Sequence, residues 1–267
     1  MKNEERVQKV DVYVMMKNEI KMLPYFLRHY EQFAERIYVW DDHSTDGTYE
    51  MLKAHPRVKL LDVAFSGIDD DYARMNFFPR YIHYSRGFAD WVMQVDVDEF
   101  VYHPQLLQRL KLFKEEDFDL VMPVGYLMVH DKFPTTTGQI YDEMCFGLRD
   151  KLMDKPVIFR PELEVIFGGG RHRTDVLRRS FIYHPNTEVR KRWKSEIKYL
   201  HFRYFGLEDY VERIKRNCQR MAESGSEYGK LFWPYRDGTR WRMPDGTKED
   251  PEKWFPAHLH EAIKVVG

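Results

Sequence analysis

The stretch Trp91-Val92-Met93-Gln94-Val95-Asp96-Val97-Asp98-Glu99-Phe100 is an apolar run that ends in two carboxylates one residue apart. Side chains at positions i and i+2 share one face of a strand, so Asp96 and Asp98 are expected to leave the end of this strand side by side. Adjacent carboxylate oxygens are hard ligands, and they indicate a divalent cation such as Mg²⁺ or Mn²⁺. A cation held there would hold a diphosphate as well.

The spacing alone is weak evidence, because two other pairs of aspartates share it: Asp69/Asp71 and Asp117/Asp119. Those pairs precede apolar runs or lie among polar residues. Asp96 and Asp98 instead terminate a run that has the character of a buried strand. This context favours the metal interpretation for the 96–98 pair.

The composition describes a globular protein with a sizeable core, since 43% of the 267 residues are hydrophobic and 32% are charged. This length fits one large domain, or one domain with an elaborated tail. A net charge of −1 gives no reason to expect a nucleic-acid partner. Cys145 and Cys218 are the only two cysteines, and they lie far apart without metal-ligand spacing, which excludes a disulfide scaffold and suits a reducing compartment.

Residues 1–9 are charged and have no apolar segment, so the sequence predicts no secretory signal. No stretch approaches the roughly 18 apolar residues that a membrane-spanning helix needs. We therefore expect a cytoplasmic protein with at most peripheral membrane contact.

The first 65 residues read as alternating strands and helices, with strands predicted over 10–16, 37–40 and 58–63 and helices over 23–34 and 49–54. Pro24 falls in the first turn of its helix, where a missing N–H costs little. This β-α-β-α-β pattern predicts the α/β class, with an open, mostly parallel, Rossmann-like sheet flanked by helices.

The second half is less regular. We predict a helix over 69–87 that Pro79 breaks, a strand over 91–95, a helix from residue 104 and a strand over 120–129. We then predict a loop over 131–152, two short strands over 155–160 and 164–167, a basic run over 171–194 and a helix over 210–221.

The predicted domain covers 1–223, with a nucleotide-binding half at about 10–100 and an acceptor half at about 101–223. Residues 224–267 form a helical or irregular C-terminal extension.

Three polar clusters follow strands of the first half: Asn18/Glu19, Asp41/Asp42 and Asp96/Asp98. Ligands of open α/β sheets bind outside the carboxyl ends of the strands, so these clusters are expected to meet at one edge. The alternative for Asp41 and Asp42 is that they only cap the following helix. Ser44 and Asp46 are able to cap that helix without them.

Three stretches resemble the GT-A glycosyltransferases of the family 2 type: residues 12–19 (VYVMMKNE), 39–48 (VWDDHSTDGT) and 91–100 (WVMQVDVDEF). The second stretch is close to that family's Asp-Asp-x-Ser-Thr-Asp-Gly-Thr signature. The third looks like the Asp-x-Asp-Glu-Phe form found in a branch with bacterial and viral polysaccharide enzymes. The likeness covers roughly residues 10–100 and becomes looser beyond, at 155–161, at the glycines before His172 and at 199–204.

The resemblance implies an enzyme that uses a UDP- or GDP-sugar as donor, with Mn²⁺ or Mg²⁺, and a saccharide or lipid-linked acceptor in polysaccharide or glycan synthesis. Asp42, in the matching Asp41-Asp42 pair, would hold the nucleobase, with Asn18 lining the same pocket. Asp98 would bind the metal, and Asp96 would contact the ribose or the sugar and be a second metal ligand. The resemblance also implies a histidine as a further metal ligand, for which His201 is the first candidate and His172 the second. Arg74 and Asn76 would face the nucleotide or the surface.

Members of this family resemble inverting enzymes, which need one carboxylate as general base on the acceptor hydroxyl. Asp142 and Asp131 flank the loop after the 120–129 strand, and we favour Asp142. One alternative is a phosphatase of the haloacid dehalogenase type, although such enzymes place Asp-x-Asp near the N-terminus. A non-catalytic glycan-binding module is the other alternative.

Overall fold

A computed structural model of the protein describes residues 8–63, 78–167, 174–179, 191–192, 195–206, 208–209, 241–242, 248–249 and 261–266. The helices in these ranges are α1 (Leu23–Tyr30), α2 (Thr48–Ala54), α3 (Leu106–Glu115) and α4 (Ile140–Glu143). Short 3₁₀ helices cover Phe78–Arg80, Ile82–Ser85 and Lys151–Met153. No helix in the described ranges is long and apolar enough to cross a bilayer.

The strands of the first half are β1 (Val10–Met16), β2 (Ala34–Asp41), β3 (Val58–Leu60), β4 (Trp91–Val95) and β5 (Glu99–Tyr102). Those that follow are β6 (Leu120–Val121), β7 (Val124–His130), β8 (Phe146–Arg149), β9 (Ile158–Phe159), β10 (Leu163–Phe167), β11 (Thr174–Arg179), β12 (Lys191–Arg192), β13 (Lys198–Phe205), β14 (Trp241–Arg242), β15 (Lys248–Glu249) and β16 (Ile263–Lys264).

The larger sheet of the described chain has the order β12-β6-β9-β4-β1-β2-β3. Strands β4, β1, β2 and β3 are mutually parallel, and the short β9 is antiparallel to both β4 and β6. The predicted α/β class with an open, mostly parallel sheet is therefore confirmed. Strand β1 is buried on both faces: Val12 and Val14 belong to one hydrophobic core and Tyr13 to the other. Continuous apolar runs are typical of such strands.

A second sheet has the order β16-β8-β7-β13-β5. Strand β5 begins four residues after β4 ends, so residues 96–98 carry the chain from the first sheet to the second. Strand β13 lies between β7 and β5 and is antiparallel to β5, with His201 opposite Glu99. The Asp-x-Asp turn is thus fixed at both ends by strands of different sheets.

Two predictions for the second half need correction. The strand predicted over 120–129 is two strands in different sheets, because Pro123 has no N–H to continue a ladder. The loop predicted over 131–152 contains α4 and β8. Strand β8 is short and holds Gly147, so its sequence gives a weak strand signal, and its partner β16 lies more than 110 residues away.

The remaining elements agree in part with the predictions. The 58–63 strand is shorter than predicted, and 78–85 forms 3₁₀ helices where a broken helix was expected. The predicted helix over 210–221 lies outside the described residues. Val265 and Val266, near the end of the predicted extension, are buried in the main core. The division into domain and extension stays a prediction.

Candidate active site

The three polar clusters of the first half meet at one edge of the larger sheet. Strand β1 lies between β4 and β2, with Val14 opposite Val95 and Met16 opposite Asp41. Because neighbouring strands are about 4.8 Å apart, the ends of β4 and β2 lie about 10 Å apart on either side of β1. The edge therefore presents carboxylates on both sides of the turn that follows β1.

The loops after β1 and β2 are joined by hydrogen bonds. The backbone N–H of Asn18 donates to Ser44 Oγ (2.8 Å), and Asn18 Oδ1 accepts from the N–H of Thr45 (2.7 Å). The N–H of Glu19 donates to Thr48 Oγ1 (3.0 Å). Asn18 has φ 55°, in the left-handed region that asparagine tolerates better than most residues. Asn18 is therefore a clip between two loops as well as a candidate nucleotide contact.

Replacing Asn18 tests this clip. Asn18→Gly keeps the backbone conformation accessible but loses the acceptor, and we expect it to lower the free energy of unfolding by about 1 kcal/mol. Asn18→Ala loses the acceptor and strains the left-handed backbone, so about 2 kcal/mol is expected. Asn18→Asp keeps an acceptor and should have little effect. Urea unfolding measures all three, and equal losses for the glycine and alanine variants would contradict the backbone argument.

Asp41 and Asp42 have different surroundings. Asp41 Oδ2 accepts from the N–H of Ser44 (3.0 Å), whereas its Oδ1 is buried and has no hydrogen-bond partner among the described residues. Asp42 is partly exposed, with Lys17 Nζ 3.5 Å from its Oδ2 and His43 Nδ1 3.4 Å from its Oδ1. Asp41 shapes its own loop, whereas the partly exposed carboxylate of Asp42 lies between the side chains of Lys17 and His43.

The start of helix α2 is held by Asp46, although the N-cap residue itself is Gly47, which makes no side-chain capping bond. Asp46 Oδ1 accepts from the N–H of Thr48 (3.0 Å), and its Oδ2 accepts from the N–H of Ile20 (3.1 Å). Burial acts to raise the pKa of Asp46, but the hydrogen bonds from Thr48 and Ile20 outweigh it and hold the pKa below its ordinary value. The partners of Asp41 and Asp42 are Ser44, Lys17 and His43, which all precede helix α2, so neither aspartate caps that helix through these contacts.

Asp98 and His201 are brought together by the second sheet. His201 Nε2 lies 3.4 Å from Asp98 Oδ2, with 11% and 8% of the two side chains exposed. The backbone supports this pair, since the N–H of Phe202 donates to the carbonyl of Asp98 (2.8 Å). Asp96, two residues before Asp98 in the chain, is half-buried. His201, the first candidate for a further metal ligand, thus lies beside Asp98, the carboxylate expected to bind the metal.

Asp98 and His201 fit a hard divalent cation only as a partial set of ligands. Within the described ranges, no group of three or more His, Cys, Asp or Glu side chains forms a metal cage. Mg²⁺ and related ions are commonly held by one or two carboxylates, with phosphate oxygens and water filling the other positions. Asp98 and His201 match that partial donor set, and Asp96 does not join them in a group of three.

A buried ionic network behind the turn is the feature that sequence reasoning missed. Glu99 is 1% exposed, and its Oε1 accepts from Lys155 Nζ (2.5 Å). Its Oε2 accepts from the hydroxyl of Tyr199 and from the N–H of Asp96 (2.9 Å). A lysine directly before the apolar Pro156-Val157-Ile158-Phe159 run was the available signal, because a lysine buried there needs an anionic partner.

The two candidate general bases, Asp142 and Asp131, have local partners of their own. Asp142 Oδ2 accepts from the N–H of Gln139 (2.8 Å) in a capping box, and Asp131 is 75% exposed with His130 Nδ1 at 3.1 Å. Asp142 therefore has a structural use, and the identity of the general base stays a prediction. Three further residues predicted for the site lie outside the described ranges: Arg74, Asn76 and His172.

No family model matches the chain, and no curated protein matches it. Among solved structures, the chain is similar to S. aureus TarS 1–349 with 14% identity and a TM-score of 0.44, over 82% of this chain and 67% of that one. It is also similar to TarS 1–349 in complex with UDP (14% identity, TM-score 0.43, 82% and 67% covered). The complex of TarS 1–349 with UDP-GlcNAc gives 13% identity and a TM-score of 0.42, with 82% and 68% covered.

Proposed function

We propose that this chain is a metal-dependent glycosyltransferase. It moves a sugar from a UDP- or GDP-sugar to a saccharide or lipid-linked acceptor, with inversion at the anomeric carbon, in polysaccharide or glycan synthesis. The observation that carries the proposal is the pairing of Asp98 with His201 at the sheet edge where Asn18 and Asp42 also lie. The resemblance of these same stretches to family 2 glycosyltransferases supports it.

The cation belongs at the turn between β4 and β5. Asp98 and His201 would hold it, with Asp96 beside them, and a bound Mn²⁺ or Mg²⁺ supplies positive charge that offsets the charge of the leaving nucleoside diphosphate. Two protein side chains leave most coordination positions free for phosphate oxygens and water. The low exposure of both side chains limits competition from bulk solvent.

The nucleoside belongs at the loops after β1 and β2. Asp42 has an exposed fraction of 27%, so its carboxylate is able to accept hydrogen bonds from a nucleobase. Asn18 and Ser44 fix the wall of that pocket through their mutual hydrogen bond. The separation of about 10 Å between the ends of β2 and β4 suits a nucleoside at one end and its diphosphate at the other.

The acceptor hydroxyl needs a carboxylate that accepts its proton as the new glycosidic bond forms. We propose Asp142 first and Asp131 second for this role. Asp142 would have to exchange its capping bond for the substrate hydroxyl, whereas Asp131 is already exposed to solvent. Comparing Asp142→Asn with Asp131→Asn in a transfer assay distinguishes the two.

A panel of sugar nucleotides tests the proposed function. We expect the protein with Mn²⁺ to release nucleotide from one UDP- or GDP-sugar, and we expect EDTA to abolish the release. The control substrate is an aryl phosphate, from which a phosphatase would release inorganic phosphate. Turnover of the aryl phosphate without any nucleotide release from the panel would contradict the proposal and favour the phosphatase alternative.

A further inference from the structure

The carboxylate of Glu99 is the centre of a buried network directly behind the Asp96–Asp98 turn. Glu99 is 1% exposed, Lys155 is 5% exposed and Tyr199 is fully buried. Burying two opposite charges carries a large desolvation cost, which is offset only when the pair is close and fully hydrogen-bonded. A solvated glutamate would avoid this cost, so the buried position calls for a reason beyond general stability.

The network reaches the turn through hydrogen bonds to its backbone. Glu99 Oε2 accepts from the N–H of Asp96 (2.9 Å), and the N–H of Glu99 donates to the carbonyl of Asp96 (3.1 Å). The carbonyl of Glu99 accepts from the hydroxyl of Tyr30 (2.8 Å). These bonds fix the backbone from which Asp96 and Asp98 project.

The same strand supplies the network and the candidate metal ligand. Tyr199 and His201 are two residues apart on β13, so their side chains lie on one face of that strand. Tyr199 donates to Glu99, and His201 lies beside Asp98. Lys155 comes from the segment before β9, which pairs with β4. The network therefore joins the two sheets at the point where the Asp-x-Asp turn crosses between them.

We infer that Glu99, held by Lys155 and Tyr199, is a positioning residue that fixes the Asp96–Asp98 turn for the cation and the donor diphosphate. This inference rests on the proposed function of the same site. A carboxylate is required because three donors converge on it: the N–H of Asp96, the hydroxyl of Tyr199 and the ammonium of Lys155. A glutamine has one acceptor oxygen and would turn an N–H group toward one of these donors.

Removing the tyrosine hydroxyl tests the inference with little disturbance of the fold. The full chain with Tyr199→Phe is titrated with Mn²⁺ alone, followed by electron paramagnetic resonance. We expect its Mn²⁺ affinity to fall about tenfold, as is typical when a group that orients a metal ligand is lost. The matched control is Tyr13→Phe, which removes another fully buried hydroxyl, hydrogen-bonded to Ser85 Oγ (2.7 Å). The control should keep its affinity within about twofold.

Two variants that remove the charges of Glu99 and Lys155 test whether a lost Mn²⁺ affinity is restored. Glu99→Gln should lower Mn²⁺ affinity by at least about tenfold, because its amide meets the Lys155 ammonium or the two other donors. Adding Lys155→Met removes the competing donor, so the double variant should recover most of the affinity. Recovery of thermal stability without recovery of affinity would overturn the positioning role.

The outcomes separate this inference from the proposed function. Loss of Mn²⁺ binding in Asp98→Ala, with unchanged affinity in Tyr199→Phe, overturns the inference and leaves the proposed function standing. Equal affinity of Asp98→Ala and the unaltered chain overturns the proposed function. A tenfold loss in Tyr199→Phe with no loss in Tyr13→Phe supports the inference even where Glu99→Gln does not fold.

Discussion

Replacing Asp98 with asparagine is expected to reduce Mn²⁺-dependent nucleotide release by about 10³-fold, because the site loses the charge that holds its cation. Asparagine keeps the shape of the side chain and its place beside His201, so the fold should persist. Nucleotide release at saturating donor, together with a Mn²⁺ titration, measures the effect. A thermal unfolding midpoint within a few degrees of that of the unaltered chain establishes that the variant is folded, so that the loss of activity does not come from unfolding.

The chain offers a matched control for this substitution in its other described Asp-x-Asp pair. Asp117 is exposed and has φ 62°, a backbone conformation that asparagine tolerates well. Asp117→Asn therefore makes the same chemical change at the same spacing but away from the sheet edge. We expect full activity and full Mn²⁺ affinity from it. Equal behaviour of the two variants would mean that the 96–98 turn is not the metal site.

Acidification is expected to destabilise the protein through His29. This side chain is 2% exposed, and burial lowers its pKa to about 3, although the hydrogen bond from Nε2 to the carbonyl of Val101 (3.0 Å) acts in the opposite direction. Nδ1 is buried without a hydrogen-bond partner in the described ranges. Protonating it would bury an N–H donor with no acceptor, which explains the direction of the shift.

The sign of the pH dependence follows from proton binding. Between pH 6.5 and 3 the unfolded chain binds a proton at His29 and the folded chain does not, so stability falls as the pH falls through this window. A shift of this size corresponds to about 4–5 kcal/mol, and the loss should be complete near pH 3. Above pH 6.5 this histidine contributes no slope.

His29→Gln isolates this contribution, because glutamine donates to the carbonyl of Val101 and does not titrate. Urea unfolding from pH 3.5 to 8 should show a shallower loss of stability in the variant than in the unaltered chain. The carboxylates titrate in both proteins, so only the difference between the two curves reports His29. Parallel curves would assign the acid sensitivity to other groups.

The first half of the fold was predictable because its signals are local. Strands β1 and β4 match their predicted positions, because each apolar run lies within a single segment. Helix α1 begins at Leu23 as predicted but ends at Tyr30, before the predicted end at residue 34, because Ala34 pairs with Val10 in the sheet. The edge where Asn18, Asp42 and Asp96 collect follows from the parallel order of those strands. Strand β8 was not predictable, because it is stabilised by β7 and by the remote β16.

The candidate site also has one part that local sequence signals predict and another part that only the tertiary structure decides. The sequence by itself determined that Asp96 and Asp98 end a buried strand and lie at the ligand-binding edge of an α/β sheet, because the order of apolar and acidic residues is sufficient for that. Only the tertiary structure decided that the pair lies in a crossing between two sheets, and that Glu99 behind it is held by Lys155 and Tyr199. Those partners lie 56 and 100 residues away in the chain, so strand pairing and burial, which no local pattern encodes, bring them together.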